Sequence, residues 1–254
     1  MFSAMLLKKI AVAFTMPQLQ KQAEQLANKL QLPLVAITDT QYDFLLVYTE
    51  KHLEICPFNQ PTLGTIYIDF LTGKLGFRRS HTFIKNELLA KAIGVKGNQQ
   101  LNVLDTTAGL GRDSFILACL GCNVIMLERS PIIAVLLEDG LTRLLATEKL
   151  NLSLIQTNAI EYLKQLDEKN YPEVIYLDPM YPHRTKSALV KKEMRVIREL
   201  VGDDEDAEQL VLLAIKRAKK RVVVKRPRLA PALSEQKPDI IYTGKQHRFD
   251  VYLV

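Results

Sequence analysis

The chain has 254 residues, 48% of them hydrophobic, and its 34 basic residues against 28 acidic ones give a net charge of +6. The apolar run from Ile10 to Phe14 is too short for a signal or membrane segment, and three cysteines are too few for a disulfide framework. We therefore expect a globular, cytoplasmic protein with no membrane partner, whose basic balance suits a polyanion without requiring one.

The first 84 residues predict a small α+β domain. Apolar residues recur at helical spacing at Leu19, Ala23, Leu26, Ala27 and Leu30. Short apolar segments predict strands at 9–14, 33–38, 42–49, 52–58 and 65–70.

Residues 85–254 predict a larger α/β domain, entered through an amphipathic segment from Thr82 to Gly94. From residue 101, buried strands alternate with helices, which is typical of a doubly wound parallel sheet. Strands are expected at 101–105, 123–128, 152–157 and 173–178, with two more in 220–231 and 247–254. The acidic stretch Asp203 to Glu208 begins a helix with a basic end, so its charges complement the helix dipole.

A glycine turn follows the first strand of this domain. In VLDTTAGLGRD, Asp105 ends the strand, Gly109 and Gly111 form the turn, and a helix begins near Asp113. Glycines let a ligand approach the backbone, and the helix start offers amide donors. Ser114 stands where a dinucleotide fingerprint has its third glycine, which disfavours a pyrophosphate cofactor. The alternative is a tight turn without a ligand.

Glu128 ends the next strand, at the spacing from the glycine turn at which an acidic side chain accepts hydrogen bonds from both ribose hydroxyls of a nucleoside. Its position thus favours a nucleoside cofactor. The alternative is a solvated charge at the end of a strand.

The segment EVIYLDPMYPHR places Asp178, Pro179, Met180 and Tyr181 just beyond an apolar strand, where open α/β sheets bind ligands. It resembles the Asp-Pro-Pro-Tyr motif of methyltransferases that act on planar exocyclic amines. In that motif, the carboxylate and the following carbonyl accept hydrogen bonds from the amine, and the aromatic ring stacks on the base. Alignment and electrostatic orientation then supply much of the rate. The alternative is an ordinary strand-terminating turn.

The residue type of Asp178 favours one base over the others. A carboxylate only accepts hydrogen bonds, so it matches a face with two donors, which guanine presents through its ring N1–H and its exocyclic amine. Adenine and cytosine place an acceptor beside the amine. The preference is weak, because the same motif also serves adenine methylation.

Six segments extend the similarity over most of residues 100–254: DTTAGLGRD, LGCNVIMLERSP, YLDPMYPHR, KSALVKKEMRV, KRVVVKRP and GKQHRFDVY. They resemble the small-subunit ribosomal RNA guanine-N2 methyltransferase J family. The resemblance implies a class I, Rossmann-like methyltransferase fold, S-adenosylmethionine as methyl donor and a guanine of 16S ribosomal RNA as substrate. One departure is that no glycine-rich stretch lies between Arg79 and Glu87.

The resemblance and the motifs together give the candidate site. The catalytic candidates are Asp178, Pro179 and Tyr181. The candidate cofactor contacts are Asp105, Gly109, Gly111, Arg112, Asp113, Glu128, Arg129, Asn158, Ala159 and Asp178. His183 follows the motif and is a candidate for lining the pocket.

Basic residues after the motif suggest an RNA surface. Lys191, Arg195 and Arg198 form a stripe beside an apolar one on a predicted helix, so they are candidate phosphate contacts, with a solvated helix face as the alternative. A second candidate patch comprises Lys225, Arg226 and Arg228.

No metal is expected. Cys119 and Cys122 have ligand spacing, but a structural zinc site needs two further ligands, and none is near in sequence. Two rivals to the guanine-N2 methyltransferase stay open: a DNA or RNA adenine-N6 methyltransferase, and a non-catalytic RNA-binding assembly factor that retains the cofactor pocket.

Overall fold

The computed structural model describes residues 8–58, 61–72, 88–97, 99–180 and 192–254. The chain forms two compact units, one made of residues up to Ile68 with 183–202, the other of 69–182 with 203–254. The domain boundary expected at residue 84 lies outside the described residues. The helix at 192–201 groups with the N-terminal unit, although its position in the sequence falls within the predicted second domain. Sequence order alone does not reveal such a return of the chain.

The N-terminal unit is built on a three-stranded sheet in the order β1 (Ile10–Phe14), β2 (Phe44–Tyr48) and β3 (Leu53–Pro57). β1 and β2 are parallel, so the connection between them must cross over, and it contains the helix α1 (Gln20–Leu30). α1 buries Ala23, Leu26 and Ala27, the centre of the predicted apolar face. A short 3-10 helix, Pro61–Leu63, follows β3.

Two predicted strands of this unit do not form. Each contributes a single bridge, from Leu34 to Val12 and from Ile66 to Ile55. Beyond Leu34 the chain turns, and the Asp39 amide donates to the Ala36 carbonyl. At 65–70 the alternating burial persists without a continuous ladder of hydrogen bonds. The apolar pattern therefore identified extended chain in these two segments. Each forms only a single bridge to a neighbouring strand, which is too little backbone hydrogen bonding to make a strand.

The second unit alternates helices and strands as predicted. Its helices are α2 (Leu88–Ile93), α3 (Arg112–Cys119), α4 (Pro131–Leu145), α5 (Ala159–Gln165) and α7 (Ala207–Ile215), with α6 (Lys192–Val201) belonging to the first unit. Its strands are β4 (Asn102–Asp105), β5 (Asn123–Glu128), β6 (Leu152–Gln156), β7 (Val174–Leu177), β8 (Arg221–Pro227), β9 (Ile240–Thr243) and β10 (His247–Leu253). Among these strands only β9 was not predicted, although its residues, IIYT, are of types that favour strands.

The seven strands form one sheet in the order β6-β5-β4-β7-β8-β10-β9. β6, β5, β4, β7 and β8 are parallel, and β10 runs antiparallel to both of its neighbours. The chain proceeds outward from β4 to β5 and β6, then returns to place β7 on the other side of β4. The predicted doubly wound α/β architecture is therefore confirmed.

Apolar residues fill both faces of this sheet. On one face, α5 and α7 pack against Leu104, Ile175 and Val222. On the other face, Gly111 at the start of α3 lies against Leu137 and Met126. In the part of the chain that the structure describes, no helix has the length and apolarity needed to cross a bilayer.

Two helix starts are fixed by side-chain caps. Ser130 accepts from the Ile133 amide ahead of α4, and Asn158 accepts from the Ile160 and Glu161 amides ahead of α5. α3 instead begins after Gly111, whose φ of 68° is in the left-handed region.

Gly111 provides a test of how tightly the glycine turn after β4 is packed. A Cβ there would lie 2.8 Å from Leu137 Cδ2 and 3.0 Å from Phe70 Cζ, in addition to the strain of a φ of 68°. Gly121, with a φ of 90°, has similar strain, but a Cβ at that position would have no atom of the described residues within 4 Å. We expect Gly111→Ala to lower the free energy of unfolding by about 1–3 kcal/mol more than Gly121→Ala, because only the former also overpacks the core. Urea denaturation measures both, and equal losses would contradict the prediction.

Candidate functional site

The candidate site lies at the carboxyl ends of β4 and β7. These strands are neighbours and parallel, with Asp105 in register with Tyr176. Because the chain leaves β4 for β5 on one side and returns to β7 on the other, the connections diverge here and open a crevice. The glycine turn after β4 and Asp178 after β7 therefore meet at one edge of the sheet.

Ser114 explains how the glycine turn closes without a third glycine. Its buried hydroxyl donates to Asp105 Oδ2 at 2.5 Å, and the Thr107 amide donates to Asp105 Oδ1 at 3.1 Å. Asp105 thereby ties the strand end to the start of α3. Burial raises the pKa of the Asp105 carboxyl to about 7, although both hydrogen bonds oppose the rise.

Glu128 shapes the same turn from the end of β5. Its Oε2 accepts from the Gly109 amide at 3.0 Å, and its Oε1 accepts from the Ser130 amide at 2.7 Å. Burial raises the pKa of Glu128, and the two amides counteract that rise. A carboxylate has about four lone-pair sites, so these two bonds leave it capacity for the hydroxyls of a ribose.

Asp178 is held at its backbone and at its side chain. Its amide donates to Thr107 Oγ1 at 2.6 Å, and its Oδ2 accepts from Lys225 Nζ at 2.7 Å. Although 40% of the side chain is exposed, desolvation raises the pKa of the carboxyl, and Lys225 opposes that rise. Asp178 is therefore an anchored acceptor at the mouth of the crevice.

Lys225, on β8, connects Asp178 to the helix α3 that follows the glycine turn. Its Nζ also donates to Asp113 Oδ2 at 2.7 Å, and the same oxygen accepts from the Tyr176 hydroxyl at 2.6 Å. Burial opposes the charged form of Lys225, but Asp178 and Asp113 outweigh it and raise its pKa above the ordinary value. Lys225 is consequently a cation between two carboxylates.

The second predicted basic patch does not form as one surface. Lys225 faces the site, whereas Arg226 is only 4% exposed and donates to the Pro231 carbonyl at 2.5 Å. Successive residues of a strand point to opposite faces, so a run of basic residues on β8 is divided between two environments. Arg228 alone of the three is exposed.

The acidic stretch before α7 holds the loop that carries the motif. The Asp204 carboxylate accepts from the Met180 amide at 2.5 Å, and the Asp204 amide donates to the Met180 carbonyl at 3.0 Å. The Arg129 guanidinium pairs with both Asp204 and Asp206. Complementarity to the helix dipole predicts acidic residues here, but spacing along the chain does not predict their contacts with Met180 and Arg129.

The structure places the other candidates as follows. The Asn158 side chain caps α5, so a cofactor contact there would use its backbone, and Ala159 is buried beside it. Arg112 is half-buried at the first position of α3, and Pro179 is buried. Tyr181, His183 and Lys191 lie outside the described residues. No cluster of metal-ligating side chains occurs within the described ranges.

These residues fit a cationic nucleoside. A Cβ at Gly109 would have only the Thr107 carbonyl, at 4.0 Å, within reach among the described residues, so the turn leaves room for a ligand. Glu128 offers an acceptor to a ribose, and the two carboxylates around Lys225 leave a net negative charge in the crevice. That charge suits the sulfonium of S-adenosylmethionine better than a pyrophosphate.

Comparison with known proteins agrees with this fit. A family model of SAM-dependent methyltransferases matches residues 25–254. Proteins named Ribosomal RNA small subunit methyltransferase J from Coxiella burnetii and Thioalkalivibrio sulfidiphilus are 50% and 47% identical to the chain, with 96% of this chain and 97% and 98% of theirs covered. The chain belongs to the ribosomal RNA small subunit methyltransferase J family.

A solved structure shows the same fold. The SAM-dependent methyltransferase from Neisseria gonorrhoeae is 33% identical and superposes with a TM-score of 0.70, covering 96% of this chain and 95% of that one. Membership confirms the predicted class I methyltransferase fold and S-adenosylmethionine as cofactor. When bound, the cofactor supplies an electrophilic methyl group on a positively charged sulfur.

Thr107 and Asp204 were not predicted as site residues, whereas Lys225, predicted in a basic RNA-binding patch, lies beside Asp178 instead. A signal existed for Lys225, because β8 follows β7 in a parallel sheet and the alternation within KRVVVKRP assigns Lys225 and Arg226 to opposite faces. Thr107 and Asp204 act through contacts to the amides of Asp178 and Met180, for which residue types in sequence gave no signal.

Asp105 predicts a pH dependence of stability. Its pKa is about 7 in the folded chain against an ordinary 3.8, so its contribution to stability is fully present below about 4 and is lost as the pH rises to about 7. In Asp105→Asn this part of the decline should disappear, since the amide does not ionise. Urea denaturation at pH 5 and pH 8 measures it, with Asp167→Asn as the exposed control. The same decline in wild type and Asp105→Asn would refute the assignment.

Proposed function

We propose that this protein transfers a methyl group from S-adenosylmethionine to the exocyclic N2 amine of a guanine in small-subunit (16S) ribosomal RNA. The observation that carries the proposal is the position of Asp178, an anchored acceptor beside the glycine turn at the switch point of the sheet. The names of the relatives, Ribosomal RNA small subunit methyltransferase J, support the RNA substrate. We expect the protein to act in the cytoplasm, on free RNA or on an assembling subunit.

The acceptor chemistry of Asp178 favours guanine. Its carboxylate presents only lone pairs, which match the adjacent N1–H and N2 amine donors of guanine. Adenine would present a ring acceptor to the same carboxylate, at an electrostatic cost. Lys225 strengthens this argument, because a neighbouring cation favours the charged, accepting form of Asp178.

Each proposed catalytic group has one task. Asp178 and the Pro179 carbonyl accept hydrogen bonds from the amine and so direct its lone pair at the methyl group, while Tyr181 stacks on a base that is flipped out or already unpaired. The lone pair of a base amine is delocalised into the ring, so the rate depends on orientation. The methylated ammonium that forms is strongly acidic, so its proton passes to solvent without a strong base.

Mass spectrometry of nucleosides from ribosomal RNA tests the proposed function. Cells that lack the gene should lack one N2-methylguanosine, and treatment of their small-subunit RNA or particles with the pure protein and S-adenosylmethionine should restore it. Appearance of N6-methyladenosine instead would identify an adenine enzyme. If methyl groups are transferred neither to small-subunit RNA nor to small-subunit particles, the proposal is overturned and an RNA-binding assembly factor is favoured.

The catalytic assignment predicts a separation of rate from binding. We expect Asp178→Asn to lower the single-turnover rate by about 100-fold or more while RNA affinity changes little, because the charge aligns the amine mainly in the transition state. Asp167→Asn, at an exposed carboxylate of the same unit, is the matched control. A near-normal rate in Asp178→Asn would show that the catalytic centre is elsewhere.

The helix α6 is the proposed RNA-docking face. Val196 and Ile197 are buried along it, Arg195 is exposed and Arg198 is half-buried, while Lys191 lies outside the described residues. The exposed guanidinium of Arg195 is therefore the clearest phosphate contact, and Arg198 and Lys191 complete the proposed stripe.

Arg195→Ala should weaken binding to RNAs of any sequence and reduce the salt dependence of log affinity by about one unit, because one phosphate contact is lost. Filter binding from low to moderate salt measures this, and cofactor affinity should stay constant. Lys21→Ala, at an exposed lysine on α1 of the same unit, serves as the charge control. An unaltered salt slope in Arg195→Ala would show that α6 is a solvated surface and does not contact RNA. Arg228 would then be the next residue to test as a phosphate contact.

A further inference from the structure

Lys225 occupies an unusual position for a lysine beside a nucleic-acid site. Its Nζ lies 2.7 Å from Asp178 Oδ2 and 2.7 Å from Asp113 Oδ2, and 24% of its side chain is exposed. Register explains the arrangement: Val224 pairs with Leu177, so the next residue of each strand, Lys225 and Asp178, emerges together at the carboxyl edge. The contact is thus built into the pairing of β7 with β8.

Two other roles for Lys225 do not fit these contacts. A general base must lose its proton, but Asp178 and Asp113 keep this amine protonated by raising its pKa. A phosphate contact needs local positive charge, whereas two carboxylates surround a single ammonium here and leave the group of three net negative. Lys225 therefore acts on the carboxylates themselves.

We propose that Lys225 is a positioning residue that keeps Asp178 ionised and fixes its Oδ2, so that Oδ1 accepts the hydrogen bond of the target amine. Thr107 anchors the Asp178 backbone at 2.6 Å and Lys225 anchors its side chain at 2.7 Å, so together they set the plane of the carboxylate. The same ammonium reaches Asp113 at the start of α3, which links the acceptor to the cofactor turn. This inference rests on the proposed function of Asp178 as the amine acceptor.

The ionisation of Asp178 depends on groups from several elements. Asp113 on α3 disfavours its charge, as does desolvation, while Lys225 on β8 and His247 on β10 favour it. On its own strand, Tyr176 donates to Asp113 rather than to Asp178. Lys225 donates directly to the Asp178 carboxylate, so its removal should raise the pKa of Asp178.

Loss of Lys225 should have different consequences for catalysis and for cofactor binding. Methyl transfer should fall at neutral pH, because more Asp178 is protonated and cannot accept from two donors. Binding of the cationic cofactor should be retained, because the proton that Asp178 gains offsets the positive charge lost with Lys225 and Asp113 keeps the crevice net negative. A lysine that merely stabilised the fold would reduce both together.

The test compares Lys225→Met and Lys225→Gln, which remove the charge, with Lys225→Arg, which keeps it. Lys225→Gln is neutral but retains a hydrogen-bond donor, so the test can still be made if Lys225→Met does not fold. The matched control is Lys220→Met, which removes a lysine paired with Glu173 at 2.6 Å next to the opposite end of β8. Single-turnover rates from pH 6 to pH 9 and cofactor affinity by calorimetry are measured for each protein.

The neutral variants should lose about tenfold or more of the rate at pH 7 and recover part of it by pH 9, since each unit of change in a pKa is a tenfold change in the ionised fraction at lower pH. Lys225→Arg should restore much of the rate, and Lys220→Met should follow wild type. An unchanged rate, or a loss with an unchanged pH profile, would overturn the proposal.

A second readout needs no methyl transfer. Carboxyl carbon NMR of the cofactor-free protein, with the Asp178 signal identified by its absence in Asp178→Asn, should show a higher pKa for Asp178 in the neutral variants than in wild type. An identical titration would refute the role of Lys225 directly. If no RNA is methylated even by wild type, the proposed function fails, and this titration still decides whether Lys225 sets the charge of Asp178.

Discussion

Desolvated carboxylates at the carboxyl ends of β4, β5 and β7 are the constraint on which the functional end of this protein depends. A carboxylate that loses water must gain other donors, or its charged form becomes too costly. Asp105 receives a hydroxyl and an amide, Glu128 receives two amides, and Asp178 receives an ammonium. The donors come from the turns and strands that shape the crevice, so satisfying the charges also builds the site.

This arrangement explains why the glycine turn has its sequence. Gly111 must be small, because Leu137 and Phe70 occupy the space of a Cβ, and Ser114 must carry a hydroxyl for Asp105. The position that a dinucleotide fingerprint gives to a third glycine therefore has a different task here. Because a serine tied to a buried acid replaces the third glycine, the turn departs from the fingerprint that binds a pyrophosphate.

The loop after β7 is fixed from two directions. Thr107 holds the amide of Asp178 from the cofactor turn, and Asp204 holds the amide and carbonyl of Met180 from the segment before α7. Arg129 pairs with Asp204, so the strand end that supplies Glu128 is joined to the same segment. The proposed reaction requires such fixed geometry, because its amine is a weak nucleophile and a small displacement of the proposed acceptor would cost much of the rate.

The sequence by itself determined the doubly wound α/β domain, the glycine turn, Glu128 and Asp178, because periodicity of apolar residues and short motifs are local properties of the chain. It did not determine that residues 33–38 and 65–70 make single bridges instead of strands, or that α6 groups with the N-terminal unit. Only the tertiary structure decided the environments of three residues. Lys225 contacts Asp178 in the site, its neighbour Arg226 is buried, and the Asp204 carboxylate accepts from the Met180 amide. The reason is physical, since strand register and long-range hydrogen bonds select partners that are distant in sequence, and residue type alone does not specify which partner is reached.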